Sequence, residues 1–123
     1  TSKVTDMQSM FSNCESLTTL DLSKWNTSNV EDMNFMFQNC TKLTTLDISN
    51  WDTSKIFRMI HMFNGCNSLT TIKGVIDMKS CTLNSYDSMF SNCDKLRGVK
   101  IKNPPADFET KSGLTKDQYE IFS

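Results

Sequence analysis

Met36-Phe37-Gln38-Asn39-Cys40-Thr41-Lys42-Leu43-Thr44-Thr45-Leu46-Asp47-Ile48-Ser49-Asn50-Trp51 is the stretch that decides the fold, because the chain repeats it. Twenty-six residues earlier it reads Met10-Phe11-Ser12-Asn13-Cys14-Glu15-Ser16-Leu17-Thr18-Thr19-Leu20-Asp21-Leu22-Ser23-Lys24-Trp25. Met62-Phe63-Asn64-Gly65-Cys66 and Met89-Phe90-Ser91-Asn92-Cys93 open two further copies, so the cysteines step by 26, 26 and 27 residues. Working outward, Met7, Met33, Met59 and Tyr86 share one slot, and Val4, Val30, Ile56 and Leu83 share another. Leu17, Leu43, Leu69 and Leu96 follow the cysteines, then Leu20, Leu46, Ile72 and Val99, then Leu22, Ile48, Val75 and Ile101. A fixed period of this length predicts a solenoid, in which each coil buries its apolar face only against its neighbours.

Two periodicities coexist within a repeat. Leu20-Asp21-Leu22 and Leu46-Asp47-Ile48 alternate apolar and polar, as a half-buried strand does. Val4, Met7, Met10 and Phe11 fall on one stripe of a short helix or of 3-10 turns. Asn26-Thr27-Ser28-Asn29 reads as the intervening turn, and Ser28 with Glu31 has capping-box spacing. The expected fold is therefore an α/β repeat solenoid, with a parallel β-sheet on one face and short helical or 3-10 segments on the other. Strand alternation points Leu17, Leu20 and Leu22 inward and Thr19, Asp21 and Ser23 outward. Ile72-Lys73-Gly74-Val75 is one residue longer than its counterparts, and the glycine predicts a bulge.

Thr1-Ser2-Lys3 aligns with Thr27-Ser28-Asn29, so the chain starts in mid-repeat and reads as a fragment of a longer array. Stacked repeats are expected over 1–103 and a capping segment over 104–123. Pro104-Pro105 stops the pattern, and Thr115-Lys116-Asp117-Gln118 followed by Tyr119, Ile121 and Phe122 predicts a small terminal helix over the last rung.

The 123 residues carry 13 Lys+Arg against 14 Asp+Glu. Near-neutral charge disfavours nucleic acid as a partner, which demands a clustered basic field. No apolar run approaches the roughly 18–20 residues of a membrane span. Forty residues are Ser, Thr or Asn, against 28 that are Leu, Ile, Val or Phe, so order depends on the periodic placement of the apolar set.

The strand segment L-x-x-L-x-L, present as Leu17-Thr-Thr-Leu20-Asp-Leu22 and Leu43-Thr-Thr-Leu46-Asp-Ile48, is the leucine-rich-repeat core. The larger unit running from Val4-Thr5-Asp6-Met7 through Met10-Phe11, Asn13-Cys14 and Leu17 to Trp25-Asn26-Thr27-Ser28 resembles the repeat of BspA-family leucine-rich-repeat bacterial surface proteins. The resemblance covers residues 1–103 and departs from the pattern at Tyr86, at Met78 in the tryptophan slot and at Gly74. It implies a right-handed leucine-rich-repeat coil. It also implies an extracellular protein of the bacterial cell surface, wall-anchored or a lipoprotein in its full length. Its implied role is adhesion, with a host glycoprotein, mucin or glycan, or another surface protein, as partner. No binding residues follow from it, because the shared positions are scaffold.

Four of the five cysteines occupy one slot without C-x-x-C spacing or paired histidines, so the expected arrangement is a ladder of buried thiols and no metal. Stacked rungs also bring such cysteines toward disulfide range. Cys81, off-register, is expected to be the exposed thiol. His61 lacks a nucleophile or carboxylate pattern around it, the methionines fall in core slots, and no nucleotide-binding or nucleophile-elbow motif is present. The expectation is a non-enzymatic binding module without cofactors, or else a spacer that presents another domain.

The outward strand positions are then the candidate surface: Thr19, Asp21, Thr45, Asp47, Thr71, Lys73, Arg97, Lys100 and Lys102. Charge drifts along the stack, with 4 basic and 7 acidic residues in 1–55 against 9 and 7 in 56–123. Lys73, Lys100 and Lys102 are expected to form one basic end able to hold anionic glycans.

Overall fold

Short Thr-Leu-Asp triplets placed 26 residues apart can satisfy their backbone only by pairing with one another, and they do so in parallel. The computed structural model describes residues 4–82 and 84–122. It is a parallel β-solenoid. Strands β1 (Thr19–Asp21), β2 (Thr45–Asp47) and β3 (Thr71–Lys73) form one sheet in the order β1-β2-β3. Strands β4 (Val75–Asp77), β5 (Val99–Lys102) and β6 (Tyr119–Ile121) form a second, in the order β4-β5-β6. Register keeps like with like: Thr19, Thr45 and Thr71 are partners, as are Leu20, Leu46 and Ile72, and Asp21, Asp47 and Lys73.

The bulge at Gly74 does more than lengthen one strand. It divides the sheet: β3 continues β2, whereas β4 starts a new ladder with Val75 opposite Lys100 and Asp77 opposite Lys102. Gly74 has φ +119°, and a Cβ there would lie 2.9 Å from the carbonyl carbon and oxygen of Ile48, so only glycine passes this point. Ile76, not Val75, takes the inward slot expected beside Ile101: the extra residue leaves Ile76 buried opposite Ile101 and Val75 half-buried opposite Lys100.

The expected helical segments are stacked turns. The N–H groups of Met7, Ser9, Phe11 and Asn13 donate to Asp32, Asn34, Met36 and Gln38 carbonyls in the next rung at 2.8–3.0 Å. The alternate N–H groups of Met10, Ser12 and Cys14 reach back three residues within their own rung. A helix would keep all of these bonds inside one segment. Here, left-handed residues at Ser9 and Asn13, Phe35 and Asn39, His61 and Gly65, and Ser88 and Asn92 turn the chain every four residues, which a right-handed helix forbids. The Ser28–Glu31 capping box has no helix to cap; the Ser28 hydroxyl and N–H donate to Asn26 Oδ1 at 2.7 and 3.0 Å.

Among the described residues the one helix is α1 (Phe108–Ser112), earlier than expected, closed by Gly113 at φ +84°. Its Lys111 and Ser112 carbonyls accept the Ser88 and Phe90 N–H groups at 2.7 Å, so it replaces a rung of turns. The expected helix over 115–122 is a turn followed by β6, which pairs with β5 through Val99–Tyr119 and Ile101–Ile121. The cap therefore adds a shortened rung. The alignment of Thr1-Ser2-Lys3 and the Leu83 slot lie outside the described residues.

The core is a set of columns. Phe11, Phe37, Phe63 and Phe90 stack at centroid separations of 5.6, 5.4 and 5.1 Å with planes within 8° of parallel. Phe108 then meets Phe90 edge-on at 6.4 Å and ends the column. All five cysteines are unpaired thiols. Buried Cys40, Cys66 and Cys93 each donate Sγ–H to a phenylalanine carbonyl of the preceding rung at 3.0–3.1 Å. Cys81, expected to be exposed, is half-buried: its N–H closes a tight turn on the Met78 carbonyl at 3.1 Å, and its Sγ lies 3.7 Å from the Ile56 carbonyl of the rung before.

Candidate functional site

Register gathers Thr19, Asp21, Thr45, Asp47, Thr71 and Lys73 on the outer face of β1-β2-β3. With Leu20 and Leu46 they line a shallow depression of about 270 Å³. The three threonines are exposed and form one column; Asp21, Asp47 and Lys73 form the next. Parallel strands lie about 4.8 Å apart, so like groups recur at that interval along the solenoid axis.

Each aspartate in this column is fixed by its own chain. The Ser23 N–H donates to Asp21 Oδ1 at 2.9 Å and the Ser49 N–H to Asp47 Oδ1 at 3.0 Å. These serine bonds hold both carboxyls below the usual carboxylate range, helped by the Lys73 ammonium; for Asp47 the neighbouring Asp21 charge opposes the shift. The face thus offers ionised, oriented carboxylates, a row of hydroxyls and one cation. Such a surface can exchange charge-assisted hydrogen bonds with a polyhydroxylated ligand.

The other expected residues do not join it. Arg97 bonds its guanidinium to the Asp94 and Leu96 carbonyls at 2.9 and 2.8 Å, wrapped on its own backbone. Lys100 stands between Val75 and Glu120 in register, with Nζ 6.0 Å above the Phe122 ring. Lys102 is opposite Asp77. The Gly74 bulge leaves Lys73 on the first sheet and Lys100 and Lys102 on the second, where β6 sets Glu120 opposite Lys100. The Tyr119-Glu120-Ile121 alternation was the sequence signal for this strand, and Pro104-Pro105 upstream concealed it.

Two further hollows lie near the cap. One, of about 470 Å³, is lined by Cys81, Thr82, Tyr86, Pro105, Ala106 and Asp107. There Tyr86 donates to the Asp107 carboxylate, and burial together with that carboxylate pushes the phenol up. The other, of about 460 Å³, lies between the Pro104–Ala106 corner and Tyr119. Among the described residues no three His, Cys, Asp or Glu side chains converge as a metal site, and no helix is long and apolar enough to cross a membrane.

A family model described as "Mycoplasma protein of unknown function, DUF285" matches residues 1–103. Neither a curated protein nor a solved structure matches the chain. The matched span stops just before Pro104, so β1 to β5 fall inside it and α1 and β6 outside.

Proposed function

The chain belongs to the DUF285 family, and on that premise we propose that it is a non-enzymatic adhesion or ligand-binding module of a bacterial cell surface, built from BspA-type leucine-rich repeats. Its ligand is a glycan, mucin chain or glycoprotein, held on the outer face of β1-β2-β3. The observation that carries the reading is the register that sets Thr19, Thr45 and Thr71 beside Asp21, Asp47 and Lys73 around one depression. A rigid sheet holds these groups in place before binding, so little conformational entropy is lost on contact. Oriented carboxylates bond sugar hydroxyls more strongly than neutral acceptors do. A polar face also protects a sheet from edge pairing, which a spacer requires equally.

A glycan array and a mucin-binding assay on this chain test the reading. Binding is expected, and Asp21→Asn with Asp47→Asn and Lys73→Ala together should remove most of it without changing the melt. Lys100→Ala with Lys102→Ala should leave it largely intact, because those cations belong to the other sheet. A folded wild-type chain that binds nothing on either assay would favour the spacer that presents another domain.

A further inference from the structure

The turn ladders carry a second surface. Its left-handed column runs Ser9, Phe35, His61 and Ser88, at φ +58°, +62°, +54° and +54°. Serine is small enough to accept this conformation at modest cost. Every L side chain pays there for the approach of its Cβ to the following carbonyl, histidine less than most, and a bulky phenylalanine is disfavoured. Strain of this kind concentrates where the side chain itself is used. Phe35 and His61 stand in adjacent rungs, both half-buried, with ring centroids 5.5 Å apart and planes tilted by 44°.

Carboxamides surround the pair. Asn64 Nδ2 lies 2.9 Å and Gln38 Nε2 3.5 Å from His61 Nδ1. With amide N–H groups donating to Nδ1, the imidazole keeps its proton on Nε2 as a further donor. The hydrogen-bonding groups here are amides and an imidazole, without a carboxylate or ammonium among them.

We propose that Phe35 and His61, with Gln38 and Asn64, form a second binding site that takes a pyranose ring of a neutral saccharide. A pyranose presents C–H bonds on one face and hydroxyls around its rim. Aromatic rings complement the first, and amides, which both donate and accept, complement the second. Adjacent rungs lie about 4.8 Å apart, about the width of one pyranose ring, and Ser9 and Ser88 bound the aromatic pair at either end. The site shares a ligand class with the sheet-face reading but uses none of its residues.

Saturation-transfer NMR with lactose and N,N′-diacetylchitobiose tests the assignment on the intact chain. Saturation should pass to the ring protons of at least one disaccharide. Phe35→Ser and His61→Ser should each reduce the transfer by roughly five-fold or more, an effect expected when half of an aromatic platform is lost. Both variants should melt as wild type does, since serine already occupies this slot in two rungs. His61→Phe, which keeps a ring, should retain the transfer and covers the case in which a serine variant fails to fold. Each is measured in a background of Asp21→Asn, Asp47→Asn and Lys73→Ala, which removes the sheet-face site, so the transfer that remains reports this site alone. The assignment is overturned if folded wild type gives no transfer from either disaccharide, if both serine variants retain it, or if the sheet-face background by itself abolishes it. The last result would move the sugar to the sheet and leave the function proposed above intact.

Discussion

Cys66 Sγ donates to the Phe37 carbonyl at 3.0 Å, and the same oxygen accepts the Cys40 N–H at 3.2 Å. One carbonyl thereby ties a thiol of the next rung to a turn in its own. The pattern recurs between Cys40 and Phe11 and between Cys93 and Phe63. It is how a column of cysteines becomes part of the solenoid's hydrogen bonding without forming disulfides.

Thiol reactivity should follow that arrangement. Burial pushes the Cys40 thiol up to about 11 and those of Cys81 and Cys93 up to about 12. Thiolate is the reactive form, so these three should label slowly in native protein. Cys14, half-buried in the first rung, should account for the earliest labelling with an aromatic disulfide reagent, and Cys14→Ser should abolish that phase. An early phase lost instead with Cys81→Ser would contradict the placement of Cys81.

The same thiols should make the fold labile in alkali. Their folded values lie above the unfolded value of about 9 for Cys40 and Cys93 alike, so their contribution is complete below pH 9 and declines as the pH climbs toward the folded values. Between pH 9 and 11 each should remove about 1.4 kcal/mol of stability per pH unit. Urea melts of wild type and Cys40→Ser over this range check it: the variant should show the shallower decline.

Phe37 is wholly buried between Phe11 and Phe63. Phe37→Ala should cost about 3–5 kcal/mol, because the column leaves a gap its rigid neighbours cannot close. Chemical denaturation measures it, and a loss below about 1 kcal/mol would remove Phe37 from the core.

Two glycines with positive φ should behave differently. Gly74→Ala puts a methyl group 2.9 Å from the Ile48 backbone, which cannot step aside, and should destabilise severely or prevent folding. At Gly98, φ +70°, a Cβ meets nothing within 4 Å, so Gly98→Ala should cost only the conformational penalty of about 1–2 kcal/mol. Similar melting temperatures for the two would mean that the bulge backbone adapts.

Thr53 offers a hydrogen bond that can be removed without changing shape. Its buried Oγ1 accepts the Asp77 N–H at 2.7 Å. Thr53→Val leaves that donor unsatisfied and should cost about 1–3 kcal/mol, whereas Thr53→Ser should recover most of it. Equal losses for valine and serine would assign the effect to packing.

Sequence periodicity made the columns legible. Once Phe11, Phe37, Phe63 and Phe90 fall in one slot, a stack places them together whatever the chain does between them. The same holds for the Thr19/Thr45/Thr71 row, whose outward direction follows from alternation in a strand. The turns were harder to read. Val30, Met33, Met36 and Phe37 bury one stripe whether the segment is a helix or a ladder of turns, so periodicity alone could not separate the two. Asn13, Asn39, Gly65 and Asn92 in one slot carried the missing signal, since asparagine and glycine are the residues that favour left-handed backbone.

By itself the sequence determined the period, the inward and outward sides of β1, β2, β3 and β5 and the identity of most core columns. These depend on which residues recur, a property local to each repeat. The tertiary structure decided which backbone groups pair between rungs, where the sheet divides and which charges become neighbours. Gly74 shows why. A single extra residue is visible in the sequence, but its consequence depends on the Ile48 backbone one rung away. There the first ladder ends with Lys73 opposite Asp47, while the second, extended by β6, sets Lys100 opposite Glu120, so the lysines that looked like one patch end on two sheets.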